Sequence, residues 1–402
     1  MNRPVGLFPA SSRDALRGRT VLQIIPSLDA GGAERTTIDI AAGLAEAGVR
    51  ALVASEGGRL VAELQAKGGE WLRFPAATKN PIKLATNIPR LRRLCRDEDV
   101  AIIHARSRAP AWSALRVART LKLPFVTTFH GIYAGRTAPK LLYNSVMARG
   151  DAVIANSRYT ADLIAKLYPW ADDGRIKVIH RGTDLSTFAP SAVHPERVNA
   201  LRAAWEVPPD RRIVLIAARL TGWKGQRIFI EAARRLTTEG LQGVTYIMAG
   251  DPQGRERYVR ELDQMIAAHR LEGVVQRVGH CTDMPAAFLA AAVVVVASTL
   301  PEAFGRSAVE AQAMGTPVVV TDLGAVPETV LAPPETDASE RTGWRVPPES
   351  AMALAQGIAA ALALRASQRT SMAARARAHV EAHFSLRSMV EATLDTYESL
   401  VG

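Results

Sequence analysis

Val21-Leu-Gln-Ile-Ile25, then Pro26-Ser-Leu-Asp-Ala-Gly-Gly32, a helix-like stretch Ala33 to Ala47 closed by Gly48, and Val49-Arg-Ala-Leu-Val-Ala54 set the architecture. A short apolar run, a glycine-rich turn, a helix, a glycine and a second apolar run make a βαβ unit. The alternation continues through Ala101-Ile-Ile-His104, Phe125-Val-Thr-Thr-Phe129 and Ala152-Val-Ile-Ala155. Short apolar strands between longer helical patterns predict a parallel, doubly wound sheet. The pattern then restarts with Ile213-Val-Leu-Ile-Ala217, a helix Gln226 to Leu236, Val244 to Ala249 before Gly250, Val293 to Ala297 and Pro317 to Thr321. The chain therefore reads as two α/β halves of similar size. The stretch Asp184 to Val198, with Pro190 and Pro195, is expected to be the hinge between them.

Bulk properties agree. The chain has 402 residues, long for one domain and suited to two. Hydrophobic residues are 48 % and aromatics 5 %, so the core must rest on Ala, Val, Ile and Leu, as buried parallel strands do. Two distant cysteines, Cys95 and Cys281, make no disulfide framework and favour a reducing cytoplasm. Met1 to Thr20 has no signal-like apolar run, and residues 1–19 read as a loose lead-in. The longest apolar stretch, Pro285 to Ser298, is shorter than the ~20 residues of a membrane span and reads as a helix end entering a buried strand. A formal net charge of +11 favours anionic partners: nucleic acid, anionic membrane or phosphorylated substrates.

Three segments carry chemistry. Gly31-Gly32, between a strand and a helix start, lets backbone N–H groups approach an anion, although a tight turn needs the same residues. It is not the G-x-G-x-x-G dinucleotide pattern. Arg219 and Lys224 flank the turn after the first strand of the second half, where two cations would neutralise a diphosphate. Pro301-Glu-Ala-Phe-Gly-Arg-Ser-Ala-Val-Glu310 is the most informative piece. Glu302 falls in a loop and Glu310 about one turn inside a helix Ser307 to Met314. The amides of Arg306 and Ser307, behind Gly305, could hold a phosphate. Eight residues of helix span ~12 Å, beyond the ~5–9.5 Å of a hydrolase's paired carboxylates. The two acids therefore read as hydroxyl acceptors at the ends of an extended ligand.

Together these pieces resemble the family 4 glycosyltransferases, which have the GT-B fold. The matching runs are Ser27-Leu-Asp-Ala-Gly-Gly-Ala-Glu-Arg35, Asn156-Ser157, Arg181-Gly-Thr-Asp184 with Phe188, Arg219 with Lys224-Gly225, and Glu302 to Gly305 with Glu310-Ala311 through Met314 to Val318. The resemblance runs from about Val21 to the C-terminus. It implies two Rossmann-like domains facing a deep cleft: residues 1–183 binding acceptor, a linker 184–198, residues 199–383 binding the nucleotide sugar, and a last helix in 384–402 crossing back to the first domain. The apolar spacing Leu386, Met389, Val390, Leu394, Tyr397 suits such a helix.

Residue by residue, the resemblance places Gly31 and Gly32 at the phosphate. Arg219 and Lys224 fall on the diphosphate, and Glu302 with the Phe304-Gly305 backbone on the donor sugar. Glu310 would take the ribose, and His280 to Met284 the base. Arg306 and Ser307 lend their amides. His130 stands near sugar and leaving phosphate, with a buried structural histidine as the bland alternative. Two departures, no Asp entering Ala291 to Val296 and Ala303 in place of a common Gly, remove no reacting group. The implied reaction is retaining, with a UDP- or GDP-sugar as donor, no cofactor and no metal. Catalysis would rest on His130, Arg219, Lys224 and Glu302.

The acceptor is expected to be a glycan or a lipid-linked molecule. Residues 83–122 carry Lys83, Arg90, Arg92, Arg93, Arg96, Arg106, Arg108, Arg116, Arg119 and Lys122, with Ile88, Leu91, Leu94 and Cys95 at helical spacing. This reads either as docking on an anionic inner membrane face or as a solvated basic face. A GT-B epimerase or phosphorylase is the alternative enzyme. A nucleic-acid-binding protein is a more distant one, lacking any RNP, KH or zinc-finger spacing, so no specific nucleic-acid partner is expected.

Overall fold

The computed structural model describes residues 14–29, 31–133 and 137–402. Most of the expected lead-in, up to residue 13, and Ala30 of the diglycine motif lie outside them. The chain divides into two compact units, Met1–Gly182 with Leu386–Gly402, and Thr183–Ser385.

Unit 1 is built on seven parallel strands: β1 (Thr20–Ile24), β2 (Arg50–Ser55), β3 (Glu70–Arg73), β4 (Val100–Ala105), β5 (Phe125–Phe129), β6 (Ala152–Ala155) and β7 (Ile176–Val178). Their order is β3-β2-β1-β4-β5-β6-β7. Unit 2 has β8 (Arg212–Ala217), β9 (Val244–Ala249), β10 (Val275–Gly279), β11 (Ala291–Val296), β12 (Val318–Thr321) and β13 (Trp344–Val346), in the order β10-β9-β8-β11-β12-β13. The direction of strand addition reverses between β1 and β4 in one sheet and between β8 and β11 in the other. Loops diverge at those points and leave a crevice at the strand C-termini.

Each sheet is buried on both faces, which explains the unbroken apolar runs. β1 is buried at every position, as are β5 and β6. Helices Gly32–Glu46 and Leu386–Val401 cover one face of the first sheet, and Met389, Val390, Leu394 and Tyr397 of the latter enter its core. Gly43 leaves room for Val390; a Cβ at that position would collide with the valine side chain. The run Pro285 to Ser298 is a helix Met284–Ala290 passing directly into β11. Both cysteines are free thiols.

The basic stretch separates into parts. Helix Pro81–Asp97 exposes Lys83, Arg90, Arg92, Arg93 and Arg96, while Leu91 and Cys95 are buried. Arg106 departs from the expectation: it is 3 % exposed and belongs to no solvated face, because it follows the central strand β4. Arg108 likewise lies over the Tyr133 ring, 4.1 Å from its centroid. No helix among the described residues is long and apolar enough to cross a membrane.

Candidate functional site

Unit 2 assembles its site where β8 and β11 end. After β8 the chain makes a 3₁₀ turn, Gly222–Lys224, and passes Gly225 at φ 78°. A Cβ on Gly225 would fall inside the Ala297 carbonyl, so only glycine lets these loops touch. The Thr299 N–H donates to the Trp223 carbonyl at 2.8 Å and closes the contact. Lys224 is thereby held against Glu302, and its ammonium donates to the carboxylate in an ion pair whose side chains are 18 % and 12 % exposed. Ser298 Oγ donates to the same Glu302 oxygen at 2.5 Å. Gly324 presses on the Glu302 backbone, and the Ala325 N–H donates to the Glu302 carbonyl at 2.9 Å.

Gly305 then turns the chain at φ 85° into helix Arg306–Ala313. Here φ demands glycine, not space: the nearest atom to an added Cβ is Thr329 Oγ1 at 3.7 Å. The Arg306 and Ser307 amides that open this helix have no intrahelical acceptor and carry the positive end of its dipole, while the Ala308 N–H donates to the Gly305 carbonyl at 3.0 Å. Ser307 Oγ ties that end to β8 by donating to the Ala217 carbonyl at 3.0 Å. Glu310, one turn further, is buried, and Arg306 Nε donates to it at 2.7 Å. Burial pushes its carboxyl pKa up, against the opposing pull of Arg306. The Phe304 side chain packs edge-on against Phe384 among Val309, Ala313 and Val380, so it is core, and only its backbone borders the loop. Arg219 is exposed, with Nη1 3.5 Å from Gln253 Oε1. His280 follows β10, an edge strand, and Met284 opens helix Met284–Ala290, packed on the core that holds Ala308 and Ala311 of helix Arg306–Ala313. The sequence reading missed Ser298 and Gly324. Ser298 could have been found as the polar residue leaving β11, four positions before Glu302.

Unit 1 gathers a second group at its own strand ends. Gly31 precedes helix Gly32–Glu46 after β1, and an added Cβ on Gly32 would meet the Arg181 guanidinium. Arg181 Nη2 donates to the His130 carbonyl at 2.6 Å. Both ring nitrogens of His130 are buried without a hydrogen-bond partner. Burial first, then the charges of Arg106 and Arg181, hold its pKa well below the ordinary imidazole value, so the ring is neutral at pH 7. Buried His104 lies between Tyr397 Oη (2.5 Å from Nδ1) and Thr128 Oγ1 (2.7 Å from Nε2), with Arg106 Nη1 3.4 Å from Nε2. Arg106 can only donate, so we assign Nε2 as acceptor and Nδ1–H as donor to Tyr397.

The comparisons bear on both groups. Residues 30–187 match the sequence profile of Glycosyltransferase Family 4, and residues 198–379 that of Glycosyl transferases group 1. A crystal structure of a glycosyltransferase from Rickettsia africae is similar at TM-score 0.86 and 32 % identity, covering 95 % of this chain and 98 % of that one. Anabaena HepE, solved in complex with UDP-glucose, aligns at TM-score 0.79 and 26 % identity over 95 % of this chain and 100 % of its own. The D-inositol 3-phosphate glycosyltransferase of Mycobacterium tuberculosis is 34 % identical over 262 residues, 64 % of this chain; the match spans about half of that relative, 50 % of its length.

Proposed function

We propose, for a chain that belongs to glycosyltransferase family 4 and has the GT-B fold, that it moves a hexose from a UDP- or GDP-sugar to a glycan or lipid-linked acceptor with retention at the anomeric carbon. The observation that carries this reading is the cluster Lys224, Glu302 and Ser298 beside the N-terminus of helix Arg306–Ala313. A cation, a hydroxyl-accepting carboxylate and a dipole end lie within one loop pair at a strand-order reversal. The complexes of Anabaena HepE, at 26 % identity, add weight to UDP-glucose as a first donor to test.

In this mechanism Lys224, Arg219 and the amides of Arg306 and Ser307 take up the charge that grows on the leaving diphosphate. Glu302 accepts hydroxyls of the donor sugar once the diphosphate has drawn Lys224 away, and Glu310 accepts the ribose hydroxyls. The base lies by His280 and Met284. In unit 1, Gly31 and Gly32 approach the phosphate, and neutral His130 offers a hydrogen bond to the polarising sugar. As the glycosidic bond loosens, an oxocarbenium-like sugar forms. The acceptor hydroxyl enters on the same face, and its proton passes to the departing phosphate oxygen. None of these steps calls for a metal or a cofactor.

A thermal-shift panel of UDP- and GDP-sugars, followed by turnover of the ligand that raises Tm, tests the assignment. Lys224→Ala and Glu302→Ala should each lower kcat by ~10²-fold or more. Near-wild-type turnover in both would refute it. We also assign the exposed basic face of helix Pro81–Asp97 to contact with anionic lipid at the inner membrane face. Flotation with liposomes containing phosphatidylglycerol should carry the protein at low salt, and equal flotation with neutral liposomes would sink that assignment.

A further inference from the structure

Three adjacent strands of unit 1 end in polar groups that the fold leaves unanswered. Arg106 follows β4 and is 3 % exposed. Its Nε donates to Thr37 Oγ1 at 3.3 Å and its Nη1 faces His104, but its Nη2 has no partner. No carboxylate among the described residues forms an ion pair with it; Asp39 acts on it only at longer range. His130 follows β5 with both ring nitrogens unpartnered. Asn156 follows β6, is 2 % exposed, and has neither its amide oxygen nor its nitrogen bonded. The three strands are neighbours in the sheet, and the Arg106 charge acts on His130. Phe129 pairs with Ala155, so His130 and Asn156 leave the sheet level with each other, while Ala105 pairs with Thr127, so Arg106 leaves two residues earlier, opposite Thr128. His130 and Arg181 are only partly buried, which puts the group at the rim and not in the sheet interior.

An isolated buried guanidinium without a carboxylate is costly in a folded protein. Here burial lowers the Arg106 pKa only to about 10, so it stays charged at neutral pH. A charge kept under those conditions, beside an unsatisfied amide and an unsatisfied imidazole, fits a site whose missing partner is a ligand. The flanking groups have the same sign: the Arg181 guanidinium lies over Gly32, at the N-terminus of a 15-residue helix. Glu34, in the first turn of that helix, borders Gly31. The electropositive side is therefore the one spanning Arg106 to Arg181.

We propose that the β4–β5–β6 strand ends of unit 1 form an oxyanion subsite, in which Arg106 and Asn156 select an acceptor sugar bearing a phosphate or carboxylate group. The inference rests on the transferase reading above and adds the acceptor's chemical class. Arg106 meets the anion, Asn156 donates its amide to an oxygen of it or of the neighbouring hydroxyl, and neutral His130 is left to the sugar.

Calorimetry on the full chain decides it, with mannose 6-phosphate, glucuronate, uncharged mannose, inorganic phosphate and UDP as probes. Wild type should bind at least one charged sugar about 10-fold tighter than mannose. Comparing mannose 6-phosphate with glucuronate tells phosphate from carboxylate, and inorganic phosphate tells whether the anion suffices without the sugar. Arg106→Gln should abolish the preference, Arg106→Lys should keep part of it, and Tm should hold or rise in the Gln variant because an uncompensated buried charge is gone. Asn156→Asp, nearly isosteric, should weaken the charged sugar about 10-fold and leave mannose unchanged. UDP affinity should be the same in all variants. Equal binding of charged and neutral sugars by wild type overturns the proposal, as does a Gln variant that keeps the preference. A Gln variant with a clearly lowered Tm makes Arg106 structural, and Asn156→Asp then stands as the remaining test. Loss of UDP binding instead assigns the anion to the donor. Failure of wild type to bind UDP or any nucleotide sugar refutes the transferase reading, and the charged-against-neutral comparison then decides by itself whether an oxyanion site exists.

Discussion

The Lys224–Glu302 pair should behave as a coupled unit. Breaking a fully buried ion pair from one side costs about 3–5 kcal/mol, because the surviving charge is stranded. Here the side chains keep 18 % and 12 % exposure, and Ser298 still donates to the carboxylate after Lys224 is removed. Both features reduce the penalty, so Lys224→Met should destabilise by about 2–3 kcal/mol. Glu302→Gln should cost about 1–2 kcal/mol: the ammonium is left over the Trp223 ring, with its nitrogen 4.3 Å from the centroid, and that ring stabilises it in part. The double variant removes both charges. It should cost no more than the worse single, giving a coupling of at least about 1–2 kcal/mol. Urea denaturation followed by circular dichroism, with midpoints compared at constant m, reads these values. Singles that add to within about 0.5 kcal/mol would refute the coupling. The same variants separate stability from function. The double variant should be at least as stable as the worse single, yet bind UDP-sugar no better than either.

Two further outcomes follow from the same loops. Gly225→Ala should destabilise by about 2–4 kcal/mol, from the positive φ and from a Cβ inside the Ala297 carbonyl, and should lower kcat as Lys224 moves away. Gly222→Ala is the control: its Cβ meets nothing nearer than Arg227 Nη1 at 3.5 Å, and it should change stability by less than about 0.5 kcal/mol. Glu310→Gln tests the buried acid by pH. A carboxyl whose folded pKa is raised favours folding below its unfolded pKa of about 4.3, and loses that contribution as pH rises through the folded value. The Tm of Glu310→Gln minus that of wild type should therefore grow more positive from pH 4 to pH 8, while UDP-sugar affinity falls. A flat or falling difference would show that Arg306 already compensates the charge.

Much of the fold was legible because parallel strands buried on both faces leave continuous apolar runs. β1, β5, β6, β8, β9, β11 and β12 stood out for that reason. The strands that escaped notice, β3, β7, β10 and β13, are the four sheet edges. Solvent reaches them, so Glu70-Trp-Leu-Arg73 and Ile176-Lys-Val178 alternate or fade where a central strand would run apolar. At the site, residues of unusual type were readable: paired acids, a lysine before a glycine, glycine at a helix start. Ser298 and Gly324 were not, since their importance comes from what lies against them in space. Arg106 was read in the wrong class. In a stretch dense with arginines, one-dimensional counting cannot tell the guanidinium following a buried strand from those on an exposed helix.

Arg106 also marks where this chain is least optimised for stability. Its cores are ordinary aliphatic packing, and most of its ion pairs are exposed arginine–carboxylate contacts such as Arg227–Glu261 and Arg277–Asp263, each worth little. The groups that oppose stability lie elsewhere: Glu310 an acid in a buried place, Arg106 charged and buried, His130 and Asn156 unsatisfied, Gly225 at a φ few residues tolerate. All sit just beyond strand C-termini or on the helices that start there, near the two strand-order reversals. In each unit the reversal separates the loops and leaves backbone amides and helix ends at the strand C-termini, so an oxygen-rich ligand can satisfy what the protein does not. A buried guanidinium without a carboxylate, beside an imidazole and an amide with no partner at all, is better explained by a ligand than by imperfect packing. Single unpartnered atoms occur within the strands too, as at Gln23 Oε1, Thr245 Oγ1 and Tyr246 Oη, whereas His130 and Asn156, each with both side-chain polar atoms unpartnered, stand at strand ends.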